Sequence, residues 1–387
     1  MNRQPPKVPR PAPVPRVRSE LVDRLCADDL DMFWEDIART CPLIEQDGEE
    51  MVVTFCWRDA EAEAVLLFAN RLTDETHLAD TLLERLPGTD LWHASYRMGA
   101  DWRASYSFLV QRPDHPAPWL VDGHVAIRKA LDHGRPDPLN PVTCRNRAGV
   151  LQSVVEGPLA PPQPWLAERG GIARGTVVWH SGPGERGVWL YDPPEVAPAT
   201  ELPLLVVLDG EVWTGIQSLP TTLDNLLADG VGPVRAVFLD SGGRDARWTD
   251  LSAAGGATTY VAEELVPWVR ACRGVLPGPA AVTALGQSLG GLTALRLGLT
   301  RPDVVGNVAS QSASLWQDPL LSLVPAGPLR VHLAHGAQEW VLAPPHLALA
   351  DHLREAGVDL EVSVHNGGHD YAWWRGAVPE ALRWLLT

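Results

Sequence analysis

The stretch Ala281-Val282-Thr283-Ala284-Leu285-Gly286-Gln287-Ser288-Leu289-Gly290-Gly291 decides how the rest of the chain is read. An apolar run of strand character enters Gly-Gln-Ser-Leu-Gly, and a helical pattern follows from Gly290 to Thr300. A serine at the apex of so tight a strand-to-helix turn must hold strained backbone angles. The residues two positions to either side must therefore be small. The turn lifts the hydroxyl above the C-terminal edge of a sheet and aims a helix N-terminus at a developing oxyanion. Ser288 is thus expected to be the nucleophile of a serine esterase. A turn with an incidental serine is the plainer alternative in a chain with 34 glycines. The strand before and the helix after favour catalysis.

Working outward, strand patterns are expected at Thr176–His180, Gly187–Tyr191, Leu204–Leu208, Arg235–Leu239, Ala281–Leu285, Val304–Ala309, Leu329–Ala334 and Leu360–Val364. Helical patterns at Thr258–Cys272, Gly290–Thr300, Pro345–Ala356 and Pro379–Leu386 alternate with them. Short continuous apolar strands between amphipathic helices mean a mostly parallel sheet covered on both faces. Eight such strands fit an α/β-hydrolase domain. The first half has a different texture. A helical segment, Asp31–Thr40, is followed by β-like runs at Met51–Trp57, Ala64–Ala69 and Trp102–Val110, with turns between them. Short strands with regular turns predict a β-sandwich. The expected division is a flexible Pro/Arg-rich tail over residues 1–18, the sandwich over 19–150, a linker over 151–172 and the catalytic domain over 173–387.

A serine nucleophile needs a base, and this fold orders its triad serine, acid, histidine along the chain. His369 lies in Asn366-Gly367-Gly368-His369-Asp370, directly after the last expected strand. His365 is the nearest rival, but it ends that strand. The acid should follow the penultimate strand, where His335-Gly336-Ala337-Gln338-Glu339 offers Glu339 as its only carboxylate. Glu339 would fix the tautomer of His369 and stabilise the imidazolium. Asp370 adjoins the histidine too closely for that geometry; a dyad without a strong acid is the alternative. The oxyanion hole needs two backbone donors. Leu289 follows the nucleophile, and Glu211 lies just past Asp209-Gly210 in the loop after the third strand.

Bulk properties narrow the function further. A length of 387 residues suggests about two domains. Five scattered cysteines without C-x-x-C spacing point away from a zinc site or a disulfide framework, and towards a reducing cytoplasm. No stretch approaches the roughly 18 apolar residues of a spanning helix. A net charge of −16 argues against nucleic acid and anionic membrane as partners. No P-loop, dinucleotide fingerprint or H-E-x-x-H motif is present, so no cofactor or metal is expected.

Beyond the motif, the chain resembles the enterochelin (ferric enterobactin) esterases from about Phe33 to Leu386. The first half carries Cys41-Pro42-Leu43-Ile44-Glu45, Val53-Thr54-Phe55-Cys56-Trp57-Arg58-Asp59, Asn70-Arg71-Leu72-Thr73-Asp74, Ala100-Asp101-Trp102-Arg103-Ala104-Ser105-Tyr106 and Asp137-Pro138-Leu139-Asn140-Pro141. The second half carries Leu208-Asp209-Gly210-Glu211-Val212-Trp213, Ser310-Gln311-Ser312-Ala313-Ser314-Leu315-Trp316 and Gly367-Gly368-His369-Asp370. The resemblance implies a cytoplasmic enzyme that opens the tri-serine lactone of a catecholate siderophore, ferric or iron-free. Iron would enter only as part of the substrate. The run Ser252-Ala253-Ala254-Gly255-Gly256-Ala257 and the stretch from Leu151 to Arg186 depart from the family pattern.

A ferric tricatecholate is a trianion with flat arms and calls for arginine and aromatic surfaces. Trp213, Arg247, Trp316, Trp373, Trp374, Arg375 and Arg103 are the expected contacts, each with a core tryptophan or an ion pair as its plainer role. Two other functions remain open: an esterase, acyltransferase or thioesterase-like enzyme for another ester, and an inert binding protein. The chain carries no signal for oligomeric state.

Overall fold

The computed structural model describes residues 6, 12, 14–25 and 30–386. Most of the expected tail over residues 1–18 lies outside the described residues. Its end does not: Arg16–Val17 forms a short strand, β1. The chain divides into two compact units. One contains Pro162–His365 and the segment from Trp374 to the C-terminus; the other contains Arg10–Pro161 and the short segment Asn366–Trp373.

The second of these units is a sandwich. After β1 come β2 (Leu43–Asp47), β3 (Glu50–Arg58), β4 (Ala64–Ala69), β5 (Glu84–Arg85), β6 (Leu91–Gly99), β7 (Arg103–Gln111), β8 (Thr143–Arg145) and β9 (Leu151–Glu156). One sheet runs β1-β6-β3-β2, with β5 on β6; the other runs β4-β7-β9-β8. Alternate residues of each sheet meet in one core: Met51, Val53, Phe55 and Trp57 from β3 face Val65 and Leu67 from β4 and Tyr106 and Phe108 from β7. The Phe55 and Tyr106 rings meet edge to face at 4.9 Å between centroids. The Tyr106 hydroxyl donates to Asp137 Oδ2 at 2.7 Å. Burial pushes the Asp137 carboxyl up to about 6. The stretch expected to open the linker, Leu151–Glu156, is instead β9, because its apolar residues complete the second sheet.

The other unit is built on one eight-stranded sheet. Its strands are β10 (Thr176–Ser181), β11 (Gly187–Asp192), β12 (Leu204–Val207), β13 (Arg235–Leu239), β14 (Val282–Gln287), β15 (Asn307–Gln311), β16 (Arg330–Gly336) and β17 (Asp359–His365). The order is β10-β11-β13-β12-β14-β15-β16-β17. β11 pairs antiparallel with both neighbours, and every later pair is parallel. That order and those directions are those of an α/β-hydrolase sheet. Every residue of β12, β13 and β14 is buried, as a sheet covered on both faces requires. Even Arg235 is buried: it donates to Asp192 Oδ1 at 2.5 Å and to the carbonyls of Thr200, Ala197 and Gly274, so its charge is satisfied.

Two expected elements moved. The apolar run Val304–Ala309 enters the sheet only at Asn307, because Val304 and Val305 pack into the core from a turn. The last helix starts at Tyr371 rather than Pro379 and carries that proline inside it. Proline favours a helix start, but Asp370 caps this helix earlier: its Oδ1 accepts from Ala372 N at 2.9 Å.

Candidate active site

β14 delivers Ser288 to a strained turn, with φ +57° and ψ −117°. That region costs a non-glycine residue on the order of 1–3 kcal/mol and persists only when its surroundings enforce it. The neighbours do. A Cβ on Gly286 would lie 2.3 Å from the Gly290 carbonyl, and one on Gly291 would lie 2.9 Å from the Gln311 carbonyl oxygen. Ser288 N donates to Gln311 O at 3.0 Å, and Ser314 N donates to Ser288 O at 2.9 Å. The Ser288 hydroxyl is half-buried and lies 3.3 Å from Ser314 Oγ.

A buried amide chain supports the turn from below. Trp213 Nε1 donates to Gln287 Oε1 at 2.7 Å, Gln287 Nε2 to Gln311 Oε1 at 3.1 Å, and Gln311 Nε2 to the Trp374 carbonyl at 3.1 Å. Polar groups in a core this dry are held only when paired, so the chain fixes β14, β15 and the last helix against one another.

Glu339 lies in the loop after β16 and is 1% exposed. Its Oε2 accepts from Ser312 Oγ at 2.6 Å and from Gly336 N at 2.8 Å. Ser312 Oγ in turn accepts from Trp374 Nε1 at 2.9 Å. Ser288 and Glu339 are therefore tied to the same short turn, Gln311 to Ser314, at the end of β15. Ser310-Gln311-Ser312-Ala313-Ser314 is legible in the sequence as part of the family resemblance, but nothing local assigns these residues a role.

His369 follows β17 and lies in the segment Asn366–Trp373, which belongs to the sandwich unit; its side chain is half-buried. Asp370 accepts from Ser105 N at 2.6 Å and from Ala372 N at 2.9 Å. His365 closes β17, and its carbonyl accepts from Ala337 N at 2.7 Å.

The loop after β12 forms a helix, Gly210–Gly215, instead of the plain turn that Asp209-Gly210 suggests. Asp209 holds φ +59°, and a Cβ on Gly210 would lie 2.5 Å from the Phe238 carbonyl carbon. Glu211 turns its carboxylate away to accept from Ser241 N at 3.1 Å and from Ser241 Oγ. Glu211 and Leu289 both sit in the first turn of a helix, where N–H groups find no carbonyl of their own helix.

Several expected substrate contacts are spent inside the fold. Arg247 grips Asp209 with two bonds, Nε to Oδ1 at 2.7 Å and Nη2 to Oδ2 at 2.8 Å, with side chains 11% and 1% exposed. Arg103 is buried against Glu156 and the Pro161 carbonyl. Trp213, Trp373 and Trp374 are buried, with their indole N–H groups given to Gln287, Gly368 and Ser312. In all five the guanidinium is paired or the indole is buried, which is the plainer of the two roles expected of them. Trp316 is half-buried beside Trp248, with ring centroids 6.3 Å apart. Arg375 is also half-buried, and its Nε has no hydrogen-bond partner among the described residues.

For Arg247→Ala the expected result is a loss of about 3 kcal/mol in stability, because Asp209 keeps a buried charge without its partner. Hydrolysis of a small neutral ester and of an anionic siderophore should fall by similar factors. Parallel assays on the two substrates check this; a loss confined to the anion would return Arg247 to the binding surface.

No helix among the described residues is long and apolar enough to cross a membrane. Among the described residues no group of three or more His, Cys, Asp or Glu side chains is arranged to hold a metal ion. Residues 52–166 match the family model for the enterochelin esterase N-terminal domain, and residues 180–385 match that for putative esterases. The chain is 30% identical over 406 residues to an iron(III) enterobactin esterase of Dickeya dadantii (strain 3937), covering 92% of each. It is 29% identical over 404 residues to an iron(III) salmochelin esterase of Escherichia coli O6:H1 (strain CFT073), covering 96% of this chain and 97% of that one. The crystal structure of an enterobactin esterase from Shigella flexneri in the presence of enterobactin is similar, with a TM-score of 0.77 and 26% identity over 92% of this chain and 97% of that one. With both domain models matched in order and a relative aligned nearly end to end, the chain belongs to the enterochelin esterase family.

Proposed function

We propose that the protein hydrolyses the ester bonds of a catecholate siderophore's tri-serine lactone, with Ser288 as nucleophile, His369 as base and Glu339 as the acid that orients it. The observation that carries this is the enforced turn at Ser288, tied through residues 311–314 to a buried carboxylate at Glu339. Membership of the enterochelin esterase family supplies the substrate class.

The chemistry follows acyl transfer. Ser288 Oγ attacks an ester carbonyl and His369 takes its proton. The oxyanion that forms is met by the N–H groups of Leu289 and Glu211 at two helix N-termini. The imidazolium returns the proton to the departing serine alkoxide, which leaves an acyl-enzyme. Water, deprotonated by His369, releases the acid and restores Ser288. Each round opens one of the scaffold's ester bonds, and loss of the ring weakens the three-armed grip on any bound Fe(III). Trp316 and Arg375 are proposed to meet the aromatic arms and their negative charge. Free thiols at Cys41, Cys56 and Cys272 suit a reducing compartment, and the cytoplasm is the proposed place of action.

The test is incubation with a cyclic tri-catecholate lactone, with and without iron, followed by mass spectrometry. Linear trimer, dimer and monomer are the expected products. A lactone that stays intact in both samples overturns the proposal.

A further inference from the structure

The segment bearing His369 contains Gly367-Gly368, the most freely rotating dipeptide a chain can offer. A general base on such a loop needs outside restraint, and within its own compact unit the sandwich supplies it. Arg103 N donates to Asn366 O at 3.0 Å, and Asn366 Nδ2 donates to Asp101 Oδ1 at 2.7 Å. Ser105 N donates to Asp370 Oδ2 at 2.6 Å. Asn70 Nδ2 donates to the carbonyl of His369 itself, at 3.0 Å.

The frame behind these bonds is rigid. Asn70 directly follows β4, and its own N–H donates to Ser105 O on β7 at 2.9 Å. Asn70 and Ser105 thus extend the β4–β7 ladder by one step, and both reach the loop, one at His369 and one at Asp370. The fit is close. A Cβ on Gly368 would lie 2.1 Å from Arg71 Cγ and 2.3 Å from Asn70 Oδ1, and one on Gly367 would lie 2.9 Å from Arg103 O. The two glycines are there because only a bare backbone approaches the sandwich this nearly.

We infer that Asn70 is a positioning residue for the catalytic base: the sandwich domain fixes the backbone of His369 and thereby sets where the imidazole stands. This rests on His369 being the base, as proposed above. The sandwich unit then carries the proposed base and also holds it in place. A misplacement of about 1 Å in a reacting group costs roughly 100-fold in rate, which sets the size of the effect.

The test uses the full chain with Asn70→Asp, which keeps the volume but loses the N–H donor, and Asn70→Ala. Three readouts are needed: kcat and KM on the lactone, the melting temperature, and the rate at which a small neutral fluorophosphonate labels Ser288. The expected result in both variants is kcat lower by about 100-fold with KM within about threefold, and slower labelling in the same proportion. The small probe matters because it would not feel a role confined to substrate binding. Melting temperatures near wild type would accompany this result. A change in KM alone, or normal labelling, overturns the inference, as does a lowered melting temperature with normal kcat per folded molecule. His369→Ala separates the two levels. If it is inactive while both Asn70 variants behave as wild type, the positioning role alone is lost. If it stays active, the base assignment fails and takes this inference with it.

Discussion

Ser288→Ala is expected to lower kcat by about 10⁵-fold or more while leaving the affinity for intact lactone within about threefold. The hydroxyl is the only part of the side chain removed, and it makes one weak contact in the resting protein, 3.3 Å to Ser314 Oγ. The turn itself does not depend on it. Its backbone bonds to Gln311 and Ser314 survive, and alanine inherits the same strained angles. Binding and the oxyanion donors therefore persist, and a small residual rate over water remains. Stopped-flow binding with an unhydrolysed lactone and a product assay check the two halves separately. Turnover above about 1% of wild type would show that another group is the nucleophile, given the size of loss expected when a triad serine is removed.

Glu339→Gln is expected to lower kcat by about 10⁴-fold, with a smaller change in KM. The substitution keeps the shape, and the amide oxygen in the place of Oε2 can accept from both Ser312 Oγ and Gly336 N. What disappears is the negative charge proposed to stabilise the imidazolium of His369 and to select its tautomer. Stability should fall by about 1 kcal/mol or less, since both donors keep an acceptor and lose only the strengthening by its charge. A pH–rate profile with product analysis distinguishes the effects. If kcat falls by less than about tenfold, the enzyme works as a serine–histidine dyad and Glu339 serves only to hold Ser312.

Much of the hydrolase domain was legible along the chain. Strands β12 to β14 are short, largely apolar and bounded by turns, and that pattern has few alternatives in a sheet covered on both sides. Gly286 and Gly290 marked the turn at Ser288 because a Cβ at the first would strike the backbone of the second. Where the pattern misled, the cause was ambiguity of local hydrophobicity. Val304 and Val305 are as buried as strand residues yet belong to a turn. β6, Leu91–Gly99, escaped notice because its buried residues fall on both faces, which blurs the alternation that marks a half-exposed strand. The tryptophans and arginines were ambiguous for a related reason: residue type announces what a side chain could do, not whether its partner is already inside the protein.

By itself, then, the sequence determined the fold class, the strand that carries Ser288, the loops that carry Glu339 and His369, and the family. Periodicity, turn chemistry and motif spacing act over a few residues, and those features are written there. The tertiary structure alone decided which charges are paired and what the His369 backbone bonds to. Arg247 meets Asp209 across 38 positions and Asn70 meets His369 across 299. Such pairings depend on which sheet edges and loops the folded backbone brings within 3 Å, and no local pattern in the chain encodes that distance.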